Sequence, residues 1–321
     1  MDKNKKIVPF FSVIMPIYNK KPHLERSINS VLNQNFYDFE LILINDSSTD
    51  GSDNEILKFK DSRIKILNRE IPGPGGYAAR NLGIRNSKGK YITFIDADDF
   101  WFTTHLESYF NTIRKSDFEI EFISCGWKRI SEENESYNPF FLENKDKKLI
   151  KIDKKKYFEL SIEDKIPVWT SVVCFKNTSE LNKNLFPISE KIRRGGDLIA
   201  WLRLIHFFNN LHWVNHVGAV YFQDSVNMVT KSHSGNFEIL SKKIFKEFSY
   251  RNTNLENKIL AKFFNKQILT VWFRLKSTIN SKKKYNIKNR LYWKYDFKSS
   301  LKVFLITSLP FSLILKLKNY K

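Results

Sequence analysis

Cysteine is nearly absent: the chain of 321 residues has two, Cys125 and Cys174. That excludes a disulfide framework, and with no Cys-x-x-Cys pair the two make no zinc site and read as buried thiols in a reducing compartment. Glycine (11) and proline (9) are also few, which excludes a collagen-like or low-complexity chain. Long apolar runs are missing as well. Pro9, Ser12 and Pro16 break the stretch behind the basic start, so no secretion signal is read. Lys302 and Pro310 interrupt Leu301–Leu317 short of a transmembrane helix. With 42% hydrophobic and 15% aromatic residues, the chain has enough apolar side chains for a large core.

Acidic residues are scarce in one part only. Residues 231–321 hold 21 Lys and Arg against 4 Asp and Glu, a net of +17, whereas residues 1–230 carry only +3 of the total +20. A basic tail on a near-neutral body suits an anionic membrane surface or a nucleic acid. The division expected is a near-neutral body over 1–230, with halves near 8–105 and 106–230, and a basic aromatic helical tail over 231–321.

In the first hundred residues, Phe10 to Met15, Phe39 to Ile44, Ile64 to Leu67 and Tyr91 to Ile95 read as strands apolar on consecutive positions. Leu24, Ile28, Val31 and Leu32, and then Ala78, Leu82 and Ile84, fit helices between them. The class is α/β: a mostly parallel sheet covered on both faces, with ligands at the carboxyl ends of its strands. Those ends are polar: Pro16-Ile17-Tyr18-Asn19, then Asn45-Asp46-Ser47-Ser48-Thr49-Asp50-Gly51-Ser52, then Asp96-Ala97-Asp98-Asp99. Three carboxylates in four residues repel unless a cation offsets them, and hard oxygens on a loop suit Mg²⁺ or Mn²⁺ shared with substrate phosphates. The alternative is that one of them caps the helix beginning near Thr103. Gly73-Pro74-Gly75-Gly76-Tyr77-Ala78 formally matches G-x-G-x-x-A. It does not follow its strand immediately, however, and its prolines donate nothing to a phosphate, so no dinucleotide site is read.

Together with Ala79-Arg80-Asn81-Leu82-Gly83, these segments occur in an order and spacing that resembles the family 2 glycosyltransferases. The resemblance is strong over residues 8–105 and weaker to about 230. It implies a GT-A fold, a nucleotide-sugar donor, a divalent metal (Mn²⁺ or Mg²⁺) and inversion at the anomeric carbon. Residue by residue, it implies that Pro16, Tyr18 and Asp46 line the nucleoside pocket, with Asp46 accepting from the base. Asn45 departs from the family's usual aspartate. The other readings are an Asx-turn or a cap for the helix after Ser52 for Asp46, and plain packing for Tyr18. Arg80 is implied to meet the sugar or diphosphate, against a solvated helix arginine. Asp98 is implied to ligate the metal, and Asp96 to serve the ribose or the metal edge.

The same resemblance points to Gly196-Asp197-Leu198-Ile199-Ala200-Trp201-Leu202 for the base that takes the acceptor's proton. Asp197 is that base or, alternatively, only the cap of helix 198–208; Gly196 stands where the family usually has Glu. His233 is a candidate late metal ligand, against a solvent-facing loop histidine. Residues 130–165 are expected to form an acceptor-facing insertion. In the tail, Leu255, Ile259, Phe263, Ile268, Val271 or Trp272, and Leu275 share a helical face among lysines, followed by Lys282-Lys283-Lys284, Arg290-Leu291-Tyr292-Trp293-Lys294-Tyr295 and Leu301 to Leu317. Basic residues interleaved with aromatics over this tail fit an interfacial helix on an anionic leaflet, or helices packed on the catalytic domain with a charged outer face. The expectation is an enzyme moving a hexose or N-acetylhexosamine from a UDP-sugar to a glycan acceptor, lipid-linked, for a bacterial surface polysaccharide. Its expected location is cytoplasmic and peripheral on the inner membrane face, as a possible homodimer with no nucleic acid partner. A metal-dependent nucleotidyltransferase and a non-catalytic basic binder are the alternatives.

Overall fold

The four apolar runs form Phe11–Ile17 (β1), Phe39–Asp46 (β2), Ile64–Arg69 (β3) and Tyr91–Phe94 (β4). The structure, a computed structural model, describes residues 8–181, 184–189, 192–228, 237–250, 252–278 and 285–319. The remaining strands are Phe100–Trp101 (β5), Phe122–Ile130 (β6), Glu135–Tyr137 (β7), Leu149–Asp153 (β8), Cys174–Lys176 (β9) and Asn210–Phe222 (β10). They join one sheet in the order β3-β2-β1-β4-β9-β6-β10-β5, with β7 paired to β6 and β8 to β10. The first four strands are parallel, as are β6 and β10. Four strands expected from no sequence pattern, β5, β7, β8 and β9, run antiparallel to their neighbours.

Alternation along β1 splits the core in two. Ile14 faces a cluster with Ile42, Ile44 and Phe94, whereas Val13 and Met15 face another with Leu41 and Leu43. Helices Lys21–Leu32 (α1), Ser52–Ile56 (α2), Tyr77–Asn86 (α3), His105–Lys115 (α4), Pro139–Glu143 (α5), Lys154–Ile162 (α6) and Gly196–Phe208 (α7) surround the sheet. Leu24, Ile28 and Val31 of α1 fill the second cluster, and Ala79 and Ile84 of α3 the first. α3 lies close on β1 because Gly83 has no side chain: a Cβ there would come within 2.5 Å of Ile14. The aspartates after β4 do not cap α4, whose cap position is Thr104 with no side-chain cap bond.

From β1 the chain moves outward to β2 and β3, then returns to place β4 on the other side of β1. Neighbouring loops therefore leave β1 and β4 in opposite directions, opening a crevice at their carboxyl ends. The segment 130–165, expected as an insertion with little periodicity, forms β7, α5, β8 and α6 and is built onto the sheet through β6 and β10.

Of the two readings of the tail, the first long helix takes the packed one. Helix Asn254–Thr278 buries Phe263, Ile268, Val271, Trp272 and Leu275 in the same cluster as Ile14 and Phe94, leaving Leu255 exposed. Phe263 meets Phe158 of α6 at 5.5 Å between ring centroids. No core boundary falls at residue 230: among the described residues, Phe245, Leu260, Leu291, Tyr292 and Val303 join that cluster as well. Apolar burial against α6 explains this, because a face of this size removes more apolar area from water when packed than when left at a wet surface. Phe263→Ala is expected to cost about 3–5 kcal/mol in urea unfolding with the slope unchanged; a loss under about 1 kcal/mol would detach this helix from the core.

Candidate active site

The polar strand ends meet in a cleft of ≈ 1220 Å³. Pro16 and Tyr18 come from the end of β1, Asp46 from β2, Arg80 from α3, Asp96 and Asp98 from the loop after β4, and Asp197 from α7, so all seven line one space. Tyr18 is exposed to it, which sets aside plain packing. His233 lies outside the described residues.

Each strand-end carboxylate in the cleft is met by a cation from another element. Asp46, almost fully buried, pairs with Arg69 of β3 and accepts from the Gly73 N–H at 3.1 Å. Burial nevertheless outweighs these contacts and raises its pKa. The turn after β2 is shaped instead by Asn45, whose Oδ1 accepts from Ser48 N at 3.1 Å. The start of α2 is shaped by Asp50, which accepts from Ser52 N and Lys21 N at 3.0 Å each. An Asx-turn or helix-cap role for Asp46 is therefore corrected: other side chains do that work.

Arg80 is buried, not solvated. It pairs with Asp96 and donates to Gly75 O at 3.0 Å. Burial alone would lower its pKa, but the Asp96 carboxylate more than offsets that and raises it. The neighbouring Asn81 exchanges two 2.9 Å hydrogen bonds with the backbone of Phe186, fixing the wall behind Arg80. Asp98 accepts from Lys20 Nζ at 2.6 Å, and the same ammonium reaches Val226 O at 2.7 Å. Asp99 turns away from the cleft. It is buried, accepts from Ser171 Oγ at 2.6 Å, and is pushed well above the carboxylate range by burial and by Asp96 and Asp98.

Asp197 is not a cap, which corrects that alternative. α7 begins at Gly196, the cap position is Gly195 at φ 86°, and Asp197 stands in the first turn. Gly195 supplies the left-handed conformation. Gly196 is small because a Cβ there would lie 2.7 Å from the Tyr77 ring, so a Glu at this position would displace Tyr77. The Tyr77 hydroxyl in turn accepts from Gly196 N at 2.9 Å, tying the start of α7 to α3 and hence Asp197 to Arg80. Burial raises the Asp197 pKa, with Arg80 opposing. A carboxylate of raised basicity at the rim of a cleft can take a proton from a bound hydroxyl.

Several lining residues escaped the sequence reading. Lys20 directly follows the Tyr18-Asn19 motif, and that adjacency was its signal. Trp127, Trp169 and Tyr221 form an aromatic wall of tilted rings, with centroids 5.7 and 5.3 Å apart, and come from β6, the segment before β9, and β10. No local pattern joins them. Gln267, Val271 and Arg274 of helix Asn254–Thr278 also line the cleft.

The donor chemistry fits Mg²⁺ or Mn²⁺. Asp96 and Asp98 offer hard oxygens from one loop, and among the described residues no three His, Cys, Asp or Glu side chains form a protein-only cage. Ions of this kind take one or two carboxylates and complete their shell with water and phosphate.

Residues 12–175 match the family described as Glycosyl transferase family 2. An uncharacterized glycosyltransferase of Rickettsia bellii is 37% identical over 199 residues, 60% of this chain and 26% of that protein. The Escherichia coli protein WfgD, a UDP-Glc:alpha-D-GlcNAc-diphosphoundecaprenol beta-1,3-glucosyltransferase, is 38% identical over 106 residues, 33% of this chain and 42% of that one. The matches thus span well under half of these relatives' own lengths. In fold, the chain is similar to residues 1–349 of Staphylococcus aureus TarS, solved in complex with UDP-GlcNAc: TM-score 0.67 at 14% identity, covering 92% of this chain and 90% of that one.

Because the Lys20 ammonium competes with any cation for Asp98, Lys20→Met is expected to tighten Mn²⁺ binding by about fivefold, roughly 1 kcal/mol. Calorimetric titration with Mn²⁺ at fixed UDP checks this; an unchanged affinity would mean that Asp98 is not where the ion binds.

Proposed function

The chain belongs to glycosyl transferase family 2, and on that premise we propose that it moves a hexose or N-acetylhexosamine from a UDP-sugar to a hydroxyl of a glycan acceptor, with inversion. The observation that carries the reading is the shared cleft, in which Asp46, Arg80, Asp96 and Asp98 stand on the strand-end side and Asp197 at the start of α7. A UDP donor is supported by the TarS complex with UDP-GlcNAc, and a lipid-diphosphate-linked acceptor by the glucosyltransferase activity for which WfgD is named.

In this reading Tyr18 and Pro16 flank the nucleoside and Asp46 accepts from the base. Arg80 holds Asp96 in place. Mn²⁺ or Mg²⁺ on Asp98 and Asp96 would offset the negative charge that grows on the departing diphosphate. Asp197 withdraws the proton of the acceptor hydroxyl as its oxygen bonds to the anomeric carbon. The bond to the diphosphate breaks on the opposite face, and UDP leaves with its electron pair. The aromatic wall of Trp127 and Trp169 offers apolar faces to sugar rings and keeps water from competing for the anomeric carbon.

Location at an anionic membrane surface is part of the proposal, carried by the last part of the tail. Phe297, Leu301 and Leu305 are exposed at i, i+4 and i+8 on helix Phe297–Ser308, and Leu309, Leu313 and Leu315 continue exposed into helix Phe311–Asn319. Lys298, Lys302 and Lys316 accompany them, while the one acid of residues 285–319, Asp296, is buried as the cap of the first helix. An apolar stripe with lysines and no exposed acid suits anionic lipid at the cytoplasmic face. No described helix is long and apolar enough to cross a membrane.

Four outcomes are expected. Calorimetry with UDP, GDP and dTDP, each with Mn²⁺ and then EDTA, shows UDP binding that EDTA abolishes; nucleoside triphosphate turnover releasing pyrophosphate would favour the nucleotidyltransferase alternative. Asp197→Asn loses about 10²–10⁴-fold in kcat with UDP affinity kept. In the unmodified enzyme kcat/KM rises with pH as Asp197 deprotonates, along a limb above the ordinary carboxylate range because burial raises that pKa; near-normal turnover of the variant would remove Asp197 as base. Leu301→Ser with Leu305→Ser abolishes sedimentation with phosphatidylglycerol vesicles. Retained sedimentation would place the contact elsewhere, and a dimer lost in the variant would make the stripe a subunit interface.

A further inference from the structure

The chain that follows β10, residues 223–228, forms a strap along the cleft, and its Gln223, Asn227 and Met228 belong to the lining. Its root is anchored at the end of β6: Gln223 N donates to Ile130 O at 2.8 Å, and Asp224 Oδ2 accepts from Glu132 N at 2.7 Å. Its far end is tied instead to the segment that opens α1. Val226 O accepts from Lys20 Nζ at 2.7 Å, Val226 N donates to His23 Nε2 at 3.1 Å, and Asn227 Nδ2 donates to Asn19 O at 3.2 Å. Burial lowers the His23 pKa against the pull of Asp98, so the ring is neutral at pH 7 and its Nε2 can accept.

The first of these ties is shared with the candidate cation site. The ammonium that holds Val226 O also donates to Asp98 Oδ2 at 2.6 Å. The backbone here is fixed, since Asn19 N donates to Ser48 Oγ at 3.1 Å and Lys20 N to Ser52 Oγ at 3.0 Å, so any adjustment falls on the Lys20 side chain. Arg26 already donates to the Asp98 carbonyl at 2.7 Å, and a divalent cation at the carboxylate would set like charge against the ammonium. Both Lys20 contacts are short, and a retreat of about 1 Å from the two oxygens breaks them together. We infer that Lys20 is a latch between the cation site and the strap: it bridges Asp98 to Val226 O while the donor half is empty and leaves both as a divalent cation and nucleotide load, freeing the far end of residues 223–228 while the root stays paired. This rests on the transferase reading above, in which Asp98 takes the cation. It adds to that reading a wall of the cleft, formed by Gln223, Asn227 and Met228, whose freedom follows the loading of the donor half.

The test reads the strap directly. Amide hydrogen exchange of the full chain, resolved residue by residue, is measured with and without UDP and Mn²⁺, while calorimetry on the same protein reports that they bind. The Val226 N–H is expected to exchange at least about tenfold faster in the loaded protein, the effect of losing one charge-assisted hydrogen bond on the same peptide segment. The Gln223 N–H, held by Ile130 O, is expected to keep its rate. In Lys20→Met the Val226 N–H exchanges at the fast rate whether or not UDP and Mn²⁺ are present. A Val226 rate that is unchanged or slower in the loaded protein overturns the latch, as does a Gln223 rate that rises with it, or a Lys20→Met protein whose Val226 N–H is as protected as in the unmodified one. Should Lys20→Met fail to fold, the comparison of loaded and unloaded unmodified protein still decides. Failure of UDP and Mn²⁺ to bind the unmodified protein would instead overturn the transferase reading on which the latch stands.

Discussion

Asp46 sits at the carboxyl end of β2, and Asp96 and Asp98 follow β4 on the other side of β1; three such charges at one end of the sheet hold together because Arg69, Arg80 and Lys20 come to meet them. Each partner arrives on a different element: Arg69 on the neighbouring strand, Arg80 on α3, Lys20 in the turn before α1. The pairing thus constrains how those elements pack. α3 can bring Arg80 to Asp96 because Gly83 lets it lie close on β1, and the Gly73–Gly76 turn aims its first residues at the cleft. Removing one partner of such a buried pair leaves an uncompensated charge that costs about 3–5 kcal/mol. The same pairs are what a nucleotide and its cation must rearrange on binding.

From α3 the constraint passes to α7. Tyr77 leaves no room for a side chain at position 196 and accepts a hydrogen bond from its N–H, so the base candidate Asp197 is registered against Arg80 through one ring. That linkage also explains why burial raises Asp197 while Arg80 opposes it: the carboxylate is close enough to the guanidinium to feel it but does not form a direct pair with it. A base needs that condition, since a tightly paired carboxylate is too weak to take a proton and a fully desolvated one is protonated already.

The C-terminal region, basic and aromatic in composition, divides by what each face touches. Helix Asn254–Thr278 spends its apolar face on the core and presents Gln267 and Arg274 to the cleft, while the two helices that follow keep leucines exposed. One segment thus lines the cleft and also offers the surface proposed for lipid.

Local pattern was enough for the first half. Four consecutive apolar runs, each ending in a polar loop, are short-range signals, and a parallel sheet with ligands at its carboxyl ends follows from them because strands apolar on both faces must be covered on both. Asp46, Asp96, Asp98 and Asp197, which the structure brings to one cleft, each lie in a motif whose residues are neighbours in the chain, and it is the family resemblance of those motifs that singled them out. The antiparallel strands β5, β7, β8 and β9 were not, being two to five residues long and stable only through pairing with distant partners. Nor were the aromatic wall of Trp127, Trp169 and Tyr221, the pairing of Lys20 with Asp98, or the arrival of Arg274 at the cleft. Helical periodicity located the apolar face of residues 254–278 correctly but could not say what covers it, because a lipid surface and a protein core impose the same spacing on a helix. Only the tertiary structure supplies the competing surface, and burial against α6 decided between them.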